Sequence, residues 1–256
     1  MLEQNMTLES DRNFINSLST GLNLLMNFSK KQPKMSLTEI ARTNDMNLPT
    51  ARRYLYTLMK LGFVVKDEST QMFQMTAKAL RLGSAVIETM EIKQRLLPYM
   101  RAINNACDVT THCAILEGTE VVTVERLRSS DVVNLDITTG SRLPVYCTSL
   151  GKAILAFTSP AERSRICSQI NFKHFTPYTI TDLNLFLSEL DRTKMRGYAI
   201  AIQELSLDLK TMAVPIFDLN ENVVASFGVS YPIKRAQESG FEEMLVQKLI
   251  EVKNMV

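Results

Sequence analysis

The chain has 256 residues, 45% hydrophobic and 22% charged, long enough for one large or two modest domains with real cores. No apolar run approaches the roughly 18 residues that cross a bilayer, and the polar start "MLEQNMTLESDRNF" lacks the pattern of a secretion signal, so the expectation is a cytoplasmic protein with no membrane partner. Net charge is +2 but unevenly spread: residues 1–82 hold 11 Lys/Arg against 7 Asp/Glu, and the rest 18 against 20, which fits a basic head that meets a polyanion and a body with another task.

The first predicted helix lies in "SLSTGLNLLMNFS", where Leu18, Leu22, Leu25 and Phe28 form one stripe. "KKQPK" breaks it. "SLTEIARTNDM" opens a short second helix with Ser36 and Glu39 in capping-box spacing, and Leu37, Ile40 and Ala41 supply its apolar side. "NDMN" reads as a turn, Asn47 as the cap of a third helix, and Pro49 is tolerated in the first turn because its missing N–H would be unbonded there. At about 100° per residue, Leu48, Ala51, Leu55 and Leu58 share one side of that helix. Thr50, Arg53, Tyr56, Thr57 and Lys60 share the other, with Arg52 at a flank. Gly62 stops the helix, and "FVVKDESTQMFQM" reads as a hairpin around an Asp-Glu-Ser-Thr turn. Three helices and a hairpin, the third helix basic on its free face, make a winged helix-turn-helix suited to the major groove of double-stranded operator DNA. The expected DNA contacts are Ser36, Thr50, Arg52, Arg53, Tyr56, Thr57, Lys60 and, in the wing, Lys66. Asp67 and Glu68 at the wing tip would repel phosphate. A solvated face that touches nothing, or a module for protein contacts alone, stays open at this point.

From Thr76 to Ala106 the pattern is helical, with Leu80, Ala85, Ile87, Ile92, Leu96 and Met100 recurring and Pro98 expected to divide it. A linker helix that pairs with a second copy accounts for so long a segment, and docking within its own chain is the alternative. The second domain follows: a hairpin in "VTTHCAILEGTEVVTVERLRS", a strand in "DVVNLDITTG", and a loop into a helix in "SRLPVYCTSLGKAILAFTS". Then come helices in "PAERSRICSQI" and "LNLFLSELDRTKMRG", three strands in "YAIAIQEL", "LKTMAVPIFD" and "NVVASFGVSYP", and a closing helix with Phe241, Leu245, Leu249 and Val252 in stripe. Helices among about six strands indicate an α+β sensor-like domain.

Catalytic apparatus is missing from this pattern. "CTSLGKA" is no nucleophile elbow, and Gly140 stands too far from Gly151-Lys152 for a phosphate loop. His112 and Cys113, adjacent on a predicted strand, point to opposite faces. Cys107, Cys113, Cys147 and Cys167 have no zinc-ligand spacing and read as small buried hydrophobes, so neither metal nor cofactor is expected. A binding pocket has better support. Thr148 and Ser149 open a helix whose free N–H groups can hold an anion, and Arg142 can pair with a carboxylate. An ordinary N-cap and a surface arginine would look the same.

"SLTEIARTNDMNLPTARRYLYTLMKLGFV", "TTGSRLPVYCTSLGKAILA", "MRGYAIAIQEL", "LKTMAVPIFD" and "ASFGVSYP", in this order, resemble the IclR family of bacterial transcription regulators over nearly the whole chain. "LPTARRYL" with "GSRLPVYCTSLGKAIL" is similar to the branch controlling aromatic-acid catabolism, including regulators that respond to protocatechuate and 4-hydroxybenzoate. The resemblance implies a homodimer that can assemble into a tetramer, repressing its genes or activating them through RNA polymerase. It implies a small organic acid effector held by Leu143, Tyr146, Thr148, Ser149, Thr211, Gly228 and Ser230, with His112 and Arg126 on strands that line the same cavity. Where relatives that bind small oxoacids carry an acidic residue, a cysteine and a serine, this chain has Ala201, Thr211 and Gly228, which points to a larger, flatter acid. An aromatic-acid enzyme with an appended head is the remaining alternative. The fold expected is α+β: a winged helix-turn-helix over 14–78, a helical linker over 79–106, and a C-terminal α/β effector-binding domain of the GAF/PAS-like kind over 107–256.

Overall fold

The computed structural model describes residues 13–29, 32–83, 90–130 and 136–256, and the chain divides into two compact units between Thr89 and Met90.

In the first unit, α1 (Asn16–Met26), α2 (Leu37–Thr43) and α3 (Leu48–Lys60) pack around Leu24, Ile40, Ala51 and Leu55. The capping box forms as spaced: the Ser36 N–H donates to Glu39 Oε2 at 2.7 Å, and the Glu39 N–H to Ser36 Oγ at 3.2 Å. Asn47 Oδ1 accepts the Thr50 N–H at 2.9 Å and starts α3. Gly62 ends the turn after α3 at φ +76°, a conformation glycine adopts without strain. The wing is a three-stranded antiparallel sheet, not a bare hairpin. β1 (Lys34–Met35) pairs with β3 (Phe73–Met75), which pairs with β2 (Val64–Lys66). The sequence showed only a helix break at β1, because two residues carry no period. The apolar stripe of α1 is half used. Leu25 and Phe28 are buried, while Leu18 and Leu22 are 59% and 46% exposed. Leu48, expected inside, is also exposed, since it precedes the first full turn against the core.

Past the wing, Ala77–Ala79 form a 3₁₀ turn, and residues 80–83 are helical. The expected linker positions Ala85 and Ile87 lie outside the described residues. Beyond them α4 (Glu91–Cys107) runs straight through Pro98, where a break was expected. Proline costs a mid-helix turn about 3 kcal/mol. Burial of Leu96, Met100 and Ile103, at about 1.5–3 kcal/mol each, outweighs it. This part of the expected free linker thus belongs to the second unit's own core.

The second unit is built on a six-stranded antiparallel sheet in the order β6-β5-β4-β9-β8-β7. Its strands are β4 (Thr110–Glu117), β5 (Glu120–Leu127), β6 (Arg142–Pro144), β7 (Ala199–Ile202), β8 (Leu209–Phe217) and β9 (Val223–Pro232). Alternation along each strand divides the residues between two faces. Cys113, Val214, Phe227, Val229 and Tyr231 pack with α4 and the closing helix α8 (Phe241–Met255). Ala114, Ala199 and Ala213 pack with α5 (Ser149–Phe157) and α7 (Leu183–Arg196), while α6 (Pro160–Cys167) contributes Ile166 and Cys167. The strand expected in "DVVNLDITTG" lies partly outside the described residues, and its end at 136–140 is not strand. The edge strand is β6 instead, in a stretch expected to be loop.

Candidate nucleic-acid interface and effector cavity

α3 buries Ala51, Leu55 and Leu58 and leaves Arg52, Arg53, Tyr56, Thr57 and Lys60 exposed, with Thr50 partly so. Lys60 Nζ lies 5.5 Å from the Tyr56 ring centre, a cation–π contact that gathers one more positive charge onto this face. The Thr57 hydroxyl donates to the Arg53 carbonyl at 3.0 Å and keeps its lone pairs for an outside donor. Thr50, Arg53 and Thr57 also edge an open groove of about 680 Å³ shared with Leu18 and Leu22 of α1 and with Leu82. In the wing, Lys66 is held by Gln71, and Asp67 accepts hydrogen bonds from Ser69 and Thr70 that hold its carboxyl down at about 2. Ser36 is partly exposed but commits its side chain to the capping box. Of the expected DNA contacts, the cations other than Lys66 are therefore those of α3, Arg52, Arg53 and Lys60, all exposed.

In the second unit a cavity of about 40 Å³ lies between the sheet and the start of α5. His112 (β4), Arg126 (β5), Leu143 (β6), Thr148, Ser149, Thr211 (β8), Gly228 and Ser230 (β9) line it together. The register explains the convergence: His112 pairs with Gly228 and with Arg126, and Ser230 with Thr110 and Thr211, so these side chains fall on one face. His112 Nε2 and Ser230 Oγ are 2.7 Å apart. Burial, with the charge of Arg126 second, pushes the His112 pKa down to about 3, so the imidazole is neutral at physiological pH. Arg126 donates to the Ile137 carbonyl at 2.5 Å. Thr148 caps α5, accepting the Gly151 N–H at 3.2 Å, and donates to the Pro144 carbonyl at 3.0 Å. The other first-turn N–H groups of α5 belong to Ser149 and Leu150, both cavity residues. Arg126 and these amides are donors that the cavity lining can offer to an anion.

Two expected members stand elsewhere. Arg142 is on the surface, bonded through Nε to Glu120 at 2.7 Å and through a terminal nitrogen to Glu117 at 2.8 Å, because β6 is an edge strand. Tyr146 turns away from the cavity, its hydroxyl donating to the Lys173 carbonyl at 2.9 Å and its ring packed on Phe172. His112 and Cys113 point to opposite faces, the first into the cavity and the second into the core.

Residues 17–68 match the IclR helix-turn-helix domain, and residues 84–255 match the bacterial transcriptional regulator IclR C-terminal family. The chain belongs to the IclR family. It is a DNA-binding transcriptional regulator with an effector-binding C-terminal domain, and this family is one of regulators, not enzymes. The chain is 27% identical over 241 residues to the Pca regulon regulatory protein of Pseudomonas putida, covering 94% of this chain and 82% of that one. It superposes on the Thermotoga maritima IclR with a TM-score of 0.72 at 25% identity, over 94% of this chain and 98% of that one. An IclR homolog from Microbacterium hydrocarbonoxydans complexed with 4-hydroxybenzoate shares the fold, with a TM-score of 0.79 at 23% identity over 93% and 98% of the two chains.

Within this IclR regulator the sequence reading missed Lys152 and Glu204. The Lys152 side chain is fully buried, and its Nζ lies 2.5 Å from Glu204 Oε1. Glu204 lines the cavity, and its Oε2 has no hydrogen-bond partner. Burial pushes the Glu204 carboxyl up and Lys152 pulls it back. The two are separated by 52 positions in sequence, so no local pattern links them. An acidic residue just past the apolar strand "YAIAI" was the one available signal.

Proposed function

We propose that this regulator binds its operator as a dimer through the exposed face of α3 and takes an aromatic carboxylate in the cavity of the second unit, to control a catabolic operon in the cytoplasm. The observation that carries the effector reading is the polarity of the cavity. Arg126, His112 and the start of α5 offer donors, and Leu143, Leu150, Leu205 and Leu209 supply apolar wall. An organic acid with a flat apolar body matches that division. The name of the Pseudomonas putida relative and the ligand of the Microbacterium structure support the aromatic class. The exposed Leu18 and Leu22 on α1 and Leu82 past the wing support a dimer, since a second copy would cover them.

Size adds a condition. A benzene-sized ligand occupies a cavity of roughly 150 Å³, whereas this one holds about 40 Å³. Leu150 closes the space: a Cβ built on Gly228 would stand 3.1 Å from its Cδ2, so the side chain rests on bare backbone. An aromatic effector must therefore lift the start of α5, and a ligand that favours one arrangement shifts the population toward it.

Thermal-shift titration of the full chain with aromatic carboxylates tests the reading. A true effector at 100 times its Kd adds about 2.7 kcal/mol of stability, and should change operator affinity in the same range of concentration. Stabilisation by two- to four-carbon acids alone would overturn the aromatic assignment.

A further inference from the structure

The cavity has two chemically different ends. Arg126 on β5 and His112 on β4 stand at one, and Thr211 on β8 and Glu204 just past β7 stand at the other. Two groups at the second end are incomplete. Glu204 Oε2 and Thr211 Oγ1 are both shut off from solvent, and neither has a hydrogen-bond partner. Buried polar atoms are nearly always bonded, so two orphans on one cavity wall call for a partner from outside the chain. The Ile180 amide also donates to the Glu204 carboxylate and lowers its pKa, yet Oε2 itself is left without a partner. Lys152, on Oε1, fixes the carboxylate in place. Glu204 Oε2 can only accept, so what it lacks is a donor. Two strand spacings, about 10 Å, separate His112 on β4 from Thr211 on β8, and Arg126 and Glu204 reach in from the strand or loop one place further out on each side. A carboxylate with a hydroxyl on the opposite side of one ring spans such a gap once its hydrogen bonds are included.

We propose that Glu204, positioned by Lys152 and assisted by Thr211, is the specificity determinant of the cavity, selecting acids that carry a hydrogen-bond-donating hydroxyl opposite the carboxylate. The choice of a ring hydroxyl rests on the aromatic reading above, whereas the requirement for a donor does not. A plain acid leaves the buried acceptor unsatisfied, and a methyl ether offers it no proton. Hydrogen bonds to charged groups are strong enough that the missing donor should cost tenfold or more in affinity.

Calorimetric titration of the full chain with benzoate, 4-hydroxybenzoate and 4-methoxybenzoate is the test, with pentanoate and 5-hydroxypentanoate as a ringless pair. The expected result is 4-hydroxybenzoate at least tenfold tighter than the other two ring acids. Glu204→Gln alone leaves Lys152 buried without its counter-charge and can fail to fold. The double variant Lys152→Met/Glu204→Leu removes the pair together and should lose the preference, and Thr211→Val should reduce it in part. Equal binding of benzoate and 4-hydroxybenzoate, or a preference that survives in the folded double variant, would sink the inference and leave the aromatic reading standing. Hydroxyl-dependent binding of 5-hydroxypentanoate with no ring acid bound would do the reverse. Failure of every acid to bind removes both.

Discussion

The two units place their charges in opposite ways. The head keeps Arg52, Arg53 and Lys60 outside, over a core of purely apolar side chains. The second unit carries Lys152, Glu204 and His112 inside. A surface charge adds little to folding and acts through what it meets, whereas a buried one must be held by partners and leaves a mark on stability when disturbed. Substitutions at the working residues of the second unit should therefore read out first as unfolding, and those in the head as lost binding with the fold intact.

The largest effect should come from Gly151→Ala. A Cβ there would lie 2.3 Å from the Val145 Cα, against backbone that cannot rotate away. The loop that delivers Thr148 and Ser149 to the cavity would have to separate from α5. Overpacking by one methyl commonly costs 1–3 kcal/mol, and a collision this close should exceed about 4 kcal/mol, among the exceptional values for single substitutions. Chemical denaturation would check it. A loss under about 1 kcal/mol would mean that helix and loop are not locked together.

Next is the response to acid. His112 has a folded pKa of about 3 against an ordinary 6.5. The unfolded chain therefore binds the extra proton first. The stability tied to this depression is complete above pH 6.5 and drains away as pH falls from 6.5 toward 3. At 1.36 kcal/mol per pH unit the full amount is on the order of 5 kcal/mol, of which about 3 is lost by pH 4. Urea midpoints of the wild type and His112→Gln, followed from pH 7 to pH 4, isolate it from the carboxylates that titrate in both. The wild type should lose stability more steeply over that interval. Parallel curves would show that the imidazole is not held neutral by its surroundings.

The same contrast governs what could be read in the sequence. α3 announced itself because cap, proline, apolar stripe and basic face all lie within fourteen consecutive residues, Asn47 to Lys60. The cavity is assembled by sheet order. His112 meets Ser230 across a separation of 118 residues, because β4 and β9 are neighbours in space. Composition and period carry no trace of such a pairing, and motif resemblance supplied most of the cavity residues instead. Two expected residues stand outside the cavity, Arg142 from the reading of the loop and Tyr146 from the resemblance, because side-chain direction there is set by the edge position of β6 and by packing on Phe172. Glu204 escaped because its partner Lys152 sits far off in sequence on α5, and Leu48 was misplaced because helical period does not say which turn first meets the core.

The smallest effect on stability, and the most informative on function, is expected from Arg53→Ala. Arg53 is exposed on α3, and no carboxylate in the described residues forms a salt bridge with it, so its removal should leave the denaturation midpoint within about 0.5 kcal/mol of wild type. A guanidinium that reads a guanine contributes about 1–3 kcal/mol of discrimination, and losing it should relax base preference at one position of each half-site. Lys60→Ala should behave differently. A cation that meets only phosphate weakens all sequences alike and lowers the slope of affinity against salt by about one unit. Electrophoretic titrations of both variants, on operator and on unrelated DNA at several salt concentrations, separate base reading from phosphate contact. Unchanged operator affinity and preference in Arg53→Ala would take base recognition away from this residue. An operator affinity indifferent to salt in the wild type would remove DNA from the exposed face of α3 altogether.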